Sequence, residues 1–225
     1  MRLADAARLV ALSAMWGASF LFTRIAAPAI GPAATAEARL LIAGAALAAY
    51  FSFIGFDAQW RRWWRYYLLI GTLNSAAPFL LYGYSALELS VGLMAVINAT
   101  SPMWGAVLSA LVLRERLSAR RVVGLALGIG GVALVSGPET TRAWLAVAAC
   151  LGAAFCYGLT AVVLRRWARD TSVRGMAVGT QVMAASLLLP LVLVSPPPLP
   201  SGGVMSLCSR SDSCAARSRT CFISD

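Results

Sequence analysis

Seven apolar stretches, separated by short polar segments, fill residues 9–194 almost without a break. They cover residues 9–27, 33–53, 67–87, 91–113, 122–137, 143–164 and 176–194. A helix needs about 20 mainly apolar residues to cross a bilayer, and all of these stretches except the short fifth reach or approach that length. The pattern therefore predicts an all-α, polytopic bundle of about seven transmembrane helices.

The composition argues against a water-soluble fold. With 60% hydrophobic and 12% charged residues, a chain of 225 residues has more apolar surface than one core of this size could hide. We therefore expect the lipid bilayer to be the solvent for most of the chain, and its first partner.

The positive charge lies in alternate loops. A net charge of +10 would suggest a nucleic-acid partner in a soluble protein, but here 13 Arg residues fall on one set of loops and Arg142 on the other. The 13 are Arg2, Arg8, Arg61, Arg62, Arg65, Arg114, Arg116, Arg120, Arg121, Arg165, Arg166, Arg169 and Arg174. Basic loops stay in the cytoplasm, so we expect a cytoplasmic amino terminus and no nucleic-acid partner. All 19 basic residues are Arg and Ala, Gly and Leu are abundant, which suggests a bacterial protein and hence a bacterial cytoplasmic membrane.

The chain contains no His, which removes the commonest metal ligand and the usual proton shuttle near neutral pH. It also offers no nucleophile beside a base and no pair of acids within the apolar stretches, which argues against an enzyme. We expect no catalytic residue, no metal and no cofactor. Any proton coupling would have to use a carboxylate.

A weak internal repeat is visible. Trp16-Gly17-Ala18-Ser19 aligns with Tyr157-Gly158-Leu159-Thr160 at an offset of 141 residues, which also places Arg24 opposite Arg165. That offset contains five apolar stretches, an odd number, so the two copies would enter the membrane in opposite directions. Inverted repeats are typical of secondary transporters, whose substrate sites lie between the repeats near the bilayer midplane.

Several segments resemble one family of such transporters. They are MWGASFLFTRIA in the first stretch, Glu37-Ala38-Arg39 at the start of the second, and the long segment that begins YGYSALELSVGLMAVINATSPMWG. Over residues 9 to about 195 the chain is similar to EamA-type members of the drug/metabolite transporter superfamily, most specifically at Ser101-Pro102, Glu115 and the Gly-rich fifth stretch. The resemblance implies ten helices in two inverted five-helix repeats that move small metabolites, often amino acids.

Three regions follow from this resemblance. Residues 1–139 would form the first five-helix repeat, and residues 140–195 the first two helices of a second, incomplete repeat. Residues 196–225 read as a non-membrane tail rich in Pro, Ser, Cys and Arg. The abrupt change of composition after residue 200 favours a frame change at the end of the gene, and a disordered tail outside the cytoplasm is the alternative.

Charged and aromatic side chains mark a first part of the candidate substrate site. Trp16, Phe20 and Arg24 share one helix face, because residues four apart lie above one another. Arg39 lies about six residues, or roughly 9 Å, inside its helix. Both Arg residues either face a substrate passage or extend to the membrane surface, and the two readings are evenly balanced. Glu37 is expected to neutralise one of them, with proton transfer as the alternative.

Two prolines mark the second part of the candidate site. Asn74 precedes Pro78 by four residues and Asn98 precedes Pro102 by four, so each proline leaves an asparagine carbonyl without its helical donor. Lipid cannot satisfy these carbonyls, so they should face protein or water. A polar substrate cavity is favoured over a merely kinked bundle. Its predicted lining includes Asn74, Tyr82, Tyr84, Asn98, Thr100 and Ser101, with the Ser75 side chain beside the freed carbonyls.

Three further residues are given structural roles, beside Pro78 and Pro102. Glu115 sits among Arg residues at the end of the fourth stretch, which indicates an ion pair. Gly124 and Gly128 form a GxxxG pair, which predicts close helix packing.

These observations favour a transporter of small metabolites that works by alternating access, with a small-molecule solute as its second partner. Because alternating access needs two halves around a central site, the chain as given is expected to be an incomplete version that does not transport by itself. The alternatives are a structural or channel-like membrane subunit, or a non-functional truncated fragment. An incompletely enclosed polar face also leaves a homo-oligomer open.

The distribution of Arg predicts the topology. In a background without the native cysteines, a cysteine that replaces Ser118 should face the cytoplasm and escape an impermeant thiol reagent added to intact cells, whereas one at Thr140 should react. Labelling at position 118 under these conditions would contradict the assignment.

Overall fold

The computed structural model describes residues 3–114, 123–124, 127, 130–131, 143–167 and 171–194. Eight α-helices are bounded within these ranges: α1 (Leu3–Ile30), α2 (Pro32–Phe53), α3 (Trp60–Gly71), α4 (Ala77–Ser85), α5 (Val91–Asn98), α6 (Ser101–Leu113), α7 (Trp144–Trp167) and α8 (Val173–Val194). A π-helical turn, Thr72–Ala76, joins α3 to α4. The described residues contain no strand, so the predicted all-α fold is confirmed.

Five helical segments in the described part, one of which consists of α5 and α6 together, are long and apolar enough to cross a membrane. They are Asp5–Ile30, Pro32–Phe53, Val91–Leu113, Trp144–Arg166 and Val173–Val194, and each corresponds to one predicted span. Large apolar side chains on their outer faces are exposed, including Ile42 at 72%, Phe53 at 91% and Leu193 at 71%. Such a surface suits lipid and not water, so the chain is a multi-pass membrane protein.

The other two predicted spans differ from expectation. The third is helical over residues 60–85, so it begins seven residues before the predicted start and ends before Leu87, which lies in a turn. The fifth lies largely outside the described residues, as do Glu115, Gly128 and the tail. A side chain placed at Gly124 would meet no described atom within 4 Å, and because its predicted partner Gly128 is not described, the close packing of this pair stays a prediction.

Helices α1 and α2 form a tight hairpin. Gly31 alone joins them, with a φ of 87° that is accessible to glycine without strain. Pro32 then begins α2 at a position where the missing N–H removes no helical hydrogen bond. The short connection holds the two helices side by side.

Helices α2 and α8 pack against each other along much of their length. Leu40 shares a buried cluster with Ala185 and Leu188, and the backbone of α8 at Gln181 lies 3.6 Å from a Cβ built on Gly44. Further along, Phe51 shares a second cluster with Val178. Residues later in α2 contact residues earlier in α8, so the two helices are antiparallel.

Proline interrupts two of the membrane segments. Helix α5 ends at Asn98 and α6 begins at Ser101, with Pro102 in its first turn. In the other segment the π-turn precedes Pro78, and the Ala77 N–H donates to the Thr72 carbonyl oxygen five residues earlier. Proline lacks the amide hydrogen that a continuous ladder needs, and both segments change their helical geometry at that point.

Helices α6 and α7 come closest at Gly158. A Cβ at this position would lie 2.6 Å from the Trp104 Cβ and 2.7 Å from the Gly105 nitrogen, and neither neighbour can move without shifting the backbone. Gly17, which aligns with Gly158 in the internal repeat, has nothing within 4 Å of the corresponding position.

This difference predicts opposite effects of one substitution at two aligned positions. Gly158→Ala should lower the free energy of unfolding in detergent by about 1–3 kcal/mol, because overpacking forces the helices apart. Gly17→Ala, the matched control, should be neutral or stabilising by up to about 1 kcal/mol, since Ala is the better helix former. Equal stability of the two variants in thermal or denaturant unfolding would contradict the close contact.

Candidate functional site

A cavity of about 540 Å³ lies in the middle of the bundle, beside both interrupted helices. Helices α1, α4, α5, α6, α7 and α8 and the π-turn all contribute to it. Its lining consists of Trp16, Asn74, Ser75, Phe79, Asn98, Ala99, Ser101, Pro102, Tyr157 and Gln181. Its volume is typical of small-molecule sites, and it combines aromatic walls with amide and hydroxyl groups.

The structure brings four of the predicted binding residues to this cavity: Trp16, Asn74, Asn98 and Ser101. Pro102, predicted as structural, also lines it. Ser75, expected beside the freed carbonyls, lines it too. The lining residues that were not predicted are Phe79, Ala99, Tyr157 and Gln181.

Aromatic rings from three helices meet at one wall. Trp16 and Tyr157 make an edge contact with ring centroids 5.7 Å apart. Behind them Phe20 contacts Tyr82 edge-on at 5.1 Å, and both of these rings are buried. Phe20 and Tyr82 therefore support the wall without lining the cavity.

Asn98 is held by hydrogen bonds on both its side chain and its backbone. The Tyr82 hydroxyl donates to Asn98 Oδ1 at 2.6 Å, and the Ser101 hydroxyl donates to the Asn98 carbonyl oxygen at 2.6 Å. The carbonyl released by Pro102 is thus satisfied within the chain, in agreement with the expectation that it faces protein or water. Thr100 donates to the Ile97 carbonyl oxygen and does not reach the cavity.

Three buried polar atoms at the cavity have no hydrogen-bond partner among the described residues. They are Ser75 Oγ, the Tyr157 hydroxyl oxygen and Gln181 Oε1. Leaving such atoms unpaired in a protein interior costs about 1–3 kcal/mol each, so polar groups without partners point to a bound polar molecule. The described residues include no group of His, Cys, Asp and Glu that could hold a metal ion.

Arg39 lies in a smaller cavity of about 200 Å³ that shares Trp16 and Phe79 with the central one. Its guanidinium donates to Ser19 Oγ at 2.7 Å and Thr23 Oγ1 at 3.0 Å, and stacks 4.0 Å from the centre of the Phe79 ring. All of these partners are neutral. No carboxylate among the described residues lies within 4.0 Å of it.

Two predicted binding residues lie away from the central cavity. The Arg24 guanidinium donates to the carbonyl oxygen of Ala86, in the turn after α4. Tyr84 is 52% exposed on the surface of the bundle. Neither side chain lines the cavity.

Glu37 does not neutralise either arginine, contrary to the sequence-based expectation. Its side chain is 3% exposed, and both carboxylate oxygens lack a partner among the described residues. Since successive helical residues are rotated by about 100°, Glu37 and Arg39 point to nearly opposite faces of α2. Glu37 faces α8, and Arg39 faces α1.

A multi-pass helix bundle with a polar cavity beside interrupted helices is the class that this fold and site define. The chain belongs to the EamA-like transporter family, whose sequence pattern matches residues 6–137. This confirms the resemblance noted in the sequence. No solved structure matches the chain.

Curated proteins that are similar to this chain include two described as an exporter or a transporter. The chain is 26% identical over 200 residues to a protein of Streptantibioticus cattleyicolor described as "Probable terminal-alkyne amino-acid exporter", a match covering 85% of this chain and 65% of the relative. It is 29% identical over 191 residues to Protein PecM of Dickeya dadantii, covering 83% and 62%. An "Uncharacterized transporter" of Archaeoglobus fulgidus is 27% identical over 124 residues, covering 55% and 44%. The chain thus spans less than two thirds of the length of these relatives.

The hydrogen bond from Tyr82 to Asn98 predicts a difference between two neighbouring tyrosines. Tyr82→Phe should lower the free energy of unfolding by about 1 kcal/mol, because a buried bond is lost while the apolar ring contacts remain. Tyr84→Phe is the matched control on the same helix and should unfold like the wild type, since its ring is exposed. Identical thermal unfolding of all three proteins in detergent would show that this hydrogen bond does not stabilise the site.

Proposed function

We propose that this chain is a membrane transporter for small amphipathic solutes that carry a carboxylate, amino acids among them, and that the central cavity is its solute site. Solute passage would follow alternating access, in which the cavity opens to one side of the membrane at a time. In this proposal the protein resides in a bacterial cytoplasmic membrane with its amino terminus in the cytoplasm, as the Arg distribution suggests.

The observation that carries the proposal is the uncompensated charge of Arg39. A charged side chain within a membrane helix is expensive and usually faces a partner or a water-filled cavity. The partners of Arg39 in the described residues are two hydroxyls and an aromatic ring, so its positive charge remains unbalanced. A solute carboxylate would supply the missing charge and form charge-assisted hydrogen bonds.

The rest of the cavity suits the other parts of such a solute. Ser75, Tyr157 and Gln181 offer polar atoms to an amino group or another polar substituent, while Trp16 and Phe79 offer apolar surface to a side chain. An amino acid with a terminal alkyne, named in the description of one relative, combines a carboxylate with an apolar end. That description supports the chemical class and leaves the individual solute to experiment.

Contacts between aligned residues support the two-repeat organisation on which alternating access depends. Trp16 contacts Tyr157, its counterpart at the offset of 141 residues. Gly44 approaches Gln181, the counterpart of Leu40, and Leu40 shares a cluster with Ala185, the counterpart of Gly44. Such reciprocal contacts are expected beside a two-fold axis. We accordingly propose residues 1–139 as one repeat and residues 140–195 as part of an inverted second one.

The proposal predicts which solutes cross the membrane and how the replacement of Arg39 changes their binding. In liposomes containing a version of the protein in which the second five-helix repeat is complete, a panel of labelled amino acids should cross the membrane, whereas the corresponding amines, which lack the carboxylate, should not. Arg39→Gln should weaken amino-acid binding by about 1.5–3 kcal/mol, or roughly ten- to a hundredfold, because a hydrogen bond to a charged group is lost.

Arg24→Gln is the matched control. Like Arg39, Arg24 belongs to the hairpin of α1 and α2, but its guanidinium donates to a backbone carbonyl oxygen outside the cavity. This variant should bind and transport amino acids like the wild type. Equal flux of amino acids and amines, with no saturation, would favour the channel-like alternative. Unchanged affinity in Arg39→Gln would remove the carboxylate from the proposal.

A further inference from the structure

A second buried site lies between α2 and α8, outside the solute cavity. Glu37 lies there, with both carboxylate oxygens inaccessible to solvent and without a hydrogen-bond partner among the described residues. It lines a cavity of about 270 Å³ whose other walls come from the packed faces of the two helices. Nothing in the solute site explains a carboxyl group at this position.

The surroundings of Glu37 are almost entirely apolar. Leu40, Leu41, Val182 and Leu189 supply most of the side-chain surface of this cavity, together with small residues. Ser186 is the other polar side chain in its lining, and its hydroxyl donates to the Val182 carbonyl oxygen of its own helix at 2.9 Å. The cavity therefore offers an ionised carboxylate neither a positive charge nor a good hydrogen-bond donor.

The charged and titratable groups of the surrounding helices are directed elsewhere. On α1, Asp5 and Arg8 pair with each other. The loop before α3 and the start of α3 pack at the Phe51 end of α2, so the charged and titratable groups of this region begin 14 residues beyond Glu37. Arg174 lies at the start of α8, 12 residues and about 18 Å of helix before Ser186. Three of the remaining titratable groups on α1, α2 and α4 have hydrogen-bond partners elsewhere: Arg24 donates to the Ala86 carbonyl oxygen, Arg39 to hydroxyls of α1, and Tyr82 to Asn98. The other two, Tyr50 and Tyr84, are exposed. The π-turn has no titratable side chain.

An isolated carboxylate in such an environment is too costly to persist, and the group becomes neutral by taking up a proton. A Lys or Arg partner would be the other solution, but no salt bridge to Glu37 occurs in the described part of the chain. A metal ion would need several ligands, and the described residues provide no such group. A proton is therefore the ligand that the surroundings of Glu37 favour.

We propose that Glu37 is a proton-binding site, neutral while α2 and α8 are packed as they are here and able to lose its proton when that interface admits water. In the release step the O–H bond of the carboxylic acid breaks, the proton passes to an entering water molecule, and the carboxylate keeps the electron pair. Uptake is the reverse step. No other reactant is needed.

The position of Glu37 would link this proton to solute movement. Helix α2 carries Glu37 on the face toward α8 and Arg39 on the face toward the smaller cavity that adjoins the central one, so a shift of α2 would change the surroundings of both groups together. This link rests on the proposed transport function. The existence of the proton site does not.

The protonation state can be measured without a transport assay. The wild-type chain in lipid vesicles is treated at neutral pH with dicyclohexylcarbodiimide, an apolar reagent that reacts with protonated carboxyl groups, and modified peptides are identified by mass spectrometry. We expect modification of Glu37 and none of Glu88, which is exposed to solvent and serves as the internal control. Modification of Glu37 should fall as the pH is raised. An unmodified Glu37 in a protein whose helix content is intact would overturn the proposal.

Infrared spectra provide an independent readout. The wild type and Glu88→Gln should show the carbonyl band of a protonated carboxylic acid at neutral pH, and Glu37→Gln should lose it. Because Gln resembles the neutral acid in size and charge, Glu37→Gln should also fold and melt like the wild type. A band that persists in Glu37→Gln would assign the proton to another group and contradict the inference. If solute transport is never observed, both measurements still decide whether Glu37 holds a proton.

Discussion

The absence of hydrogen-bond partners in lipid is the constraint on which this structure depends. Each polar group within the membrane segments has to be satisfied by the chain itself or by a bound molecule. Most hydroxyls meet this requirement locally, by donating to a carbonyl oxygen one turn earlier in their own helix; examples are Thr23, Thr35, Thr72, Ser85, Thr160, Thr180 and Ser186. Within the part of the chain that the structure describes, the groups that do not meet it are few, and they lie in two places. The solute cavity holds three of them, and the interface of α2 and α8 holds Glu37.

The two places differ in what they lack, and the difference separates their proposed roles. The central cavity has polar atoms that no described residue pairs, near a guanidinium whose charge no described residue balances, and this favours a molecule with its own charge and hydrogen-bonding groups. The cavity between α2 and α8 is apolar apart from one carboxyl group and the internally bonded Ser186, which favours a proton. Helix α2 carries Glu37 at the interface and Arg39 in the smaller cavity beside the central one, and its contacts with α8 run along much of its length. A rigid helix of this kind can respond to one ligand and change the surroundings of the other.

The sequence predicted the helices well because apolar length is a strong and local signal. It also located the interruption at Pro102, since a proline removes a specific backbone donor. The site was predicted less completely. Tyr157 was overlooked as a lining residue although its repeat counterpart Trp16 was included, so a consistent use of the repeat would have found it. Gln181 and Phe79 needed the packing of α8 and α4 around the cavity, which no local pattern gives.

One error has a simple physical cause. Glu37 was expected to neutralise Arg24 or Arg39 because it is the carboxylate near both in sequence, yet residues two apart on a helix, such as Glu37 and Arg39, point in nearly opposite directions. For Arg39 the error could have been avoided from helical geometry alone. The Asn98 carbonyl was expected to face protein or water, and the Ser101 hydroxyl takes the place of the donor that Pro102 lacks. Which group would do so depended on a side-chain rotamer that the sequence does not specify.

The central claim is that the cavity at the interrupted helices binds a solute that carries a carboxylate. Ala99 lines this cavity and is exposed, so a cysteine at this position, in a chain without its native cysteines, should report on it. The rate at which a small hydrophilic thiol reagent modifies this cysteine should fall when an amino acid is added and should not change when the corresponding amine is added. Modification of a cysteine at Gly92, which is exposed outside the cavity, should be unaffected by either compound. If no member of an amino-acid panel protects position 99, or if amines protect it equally, the account of the cavity is contradicted.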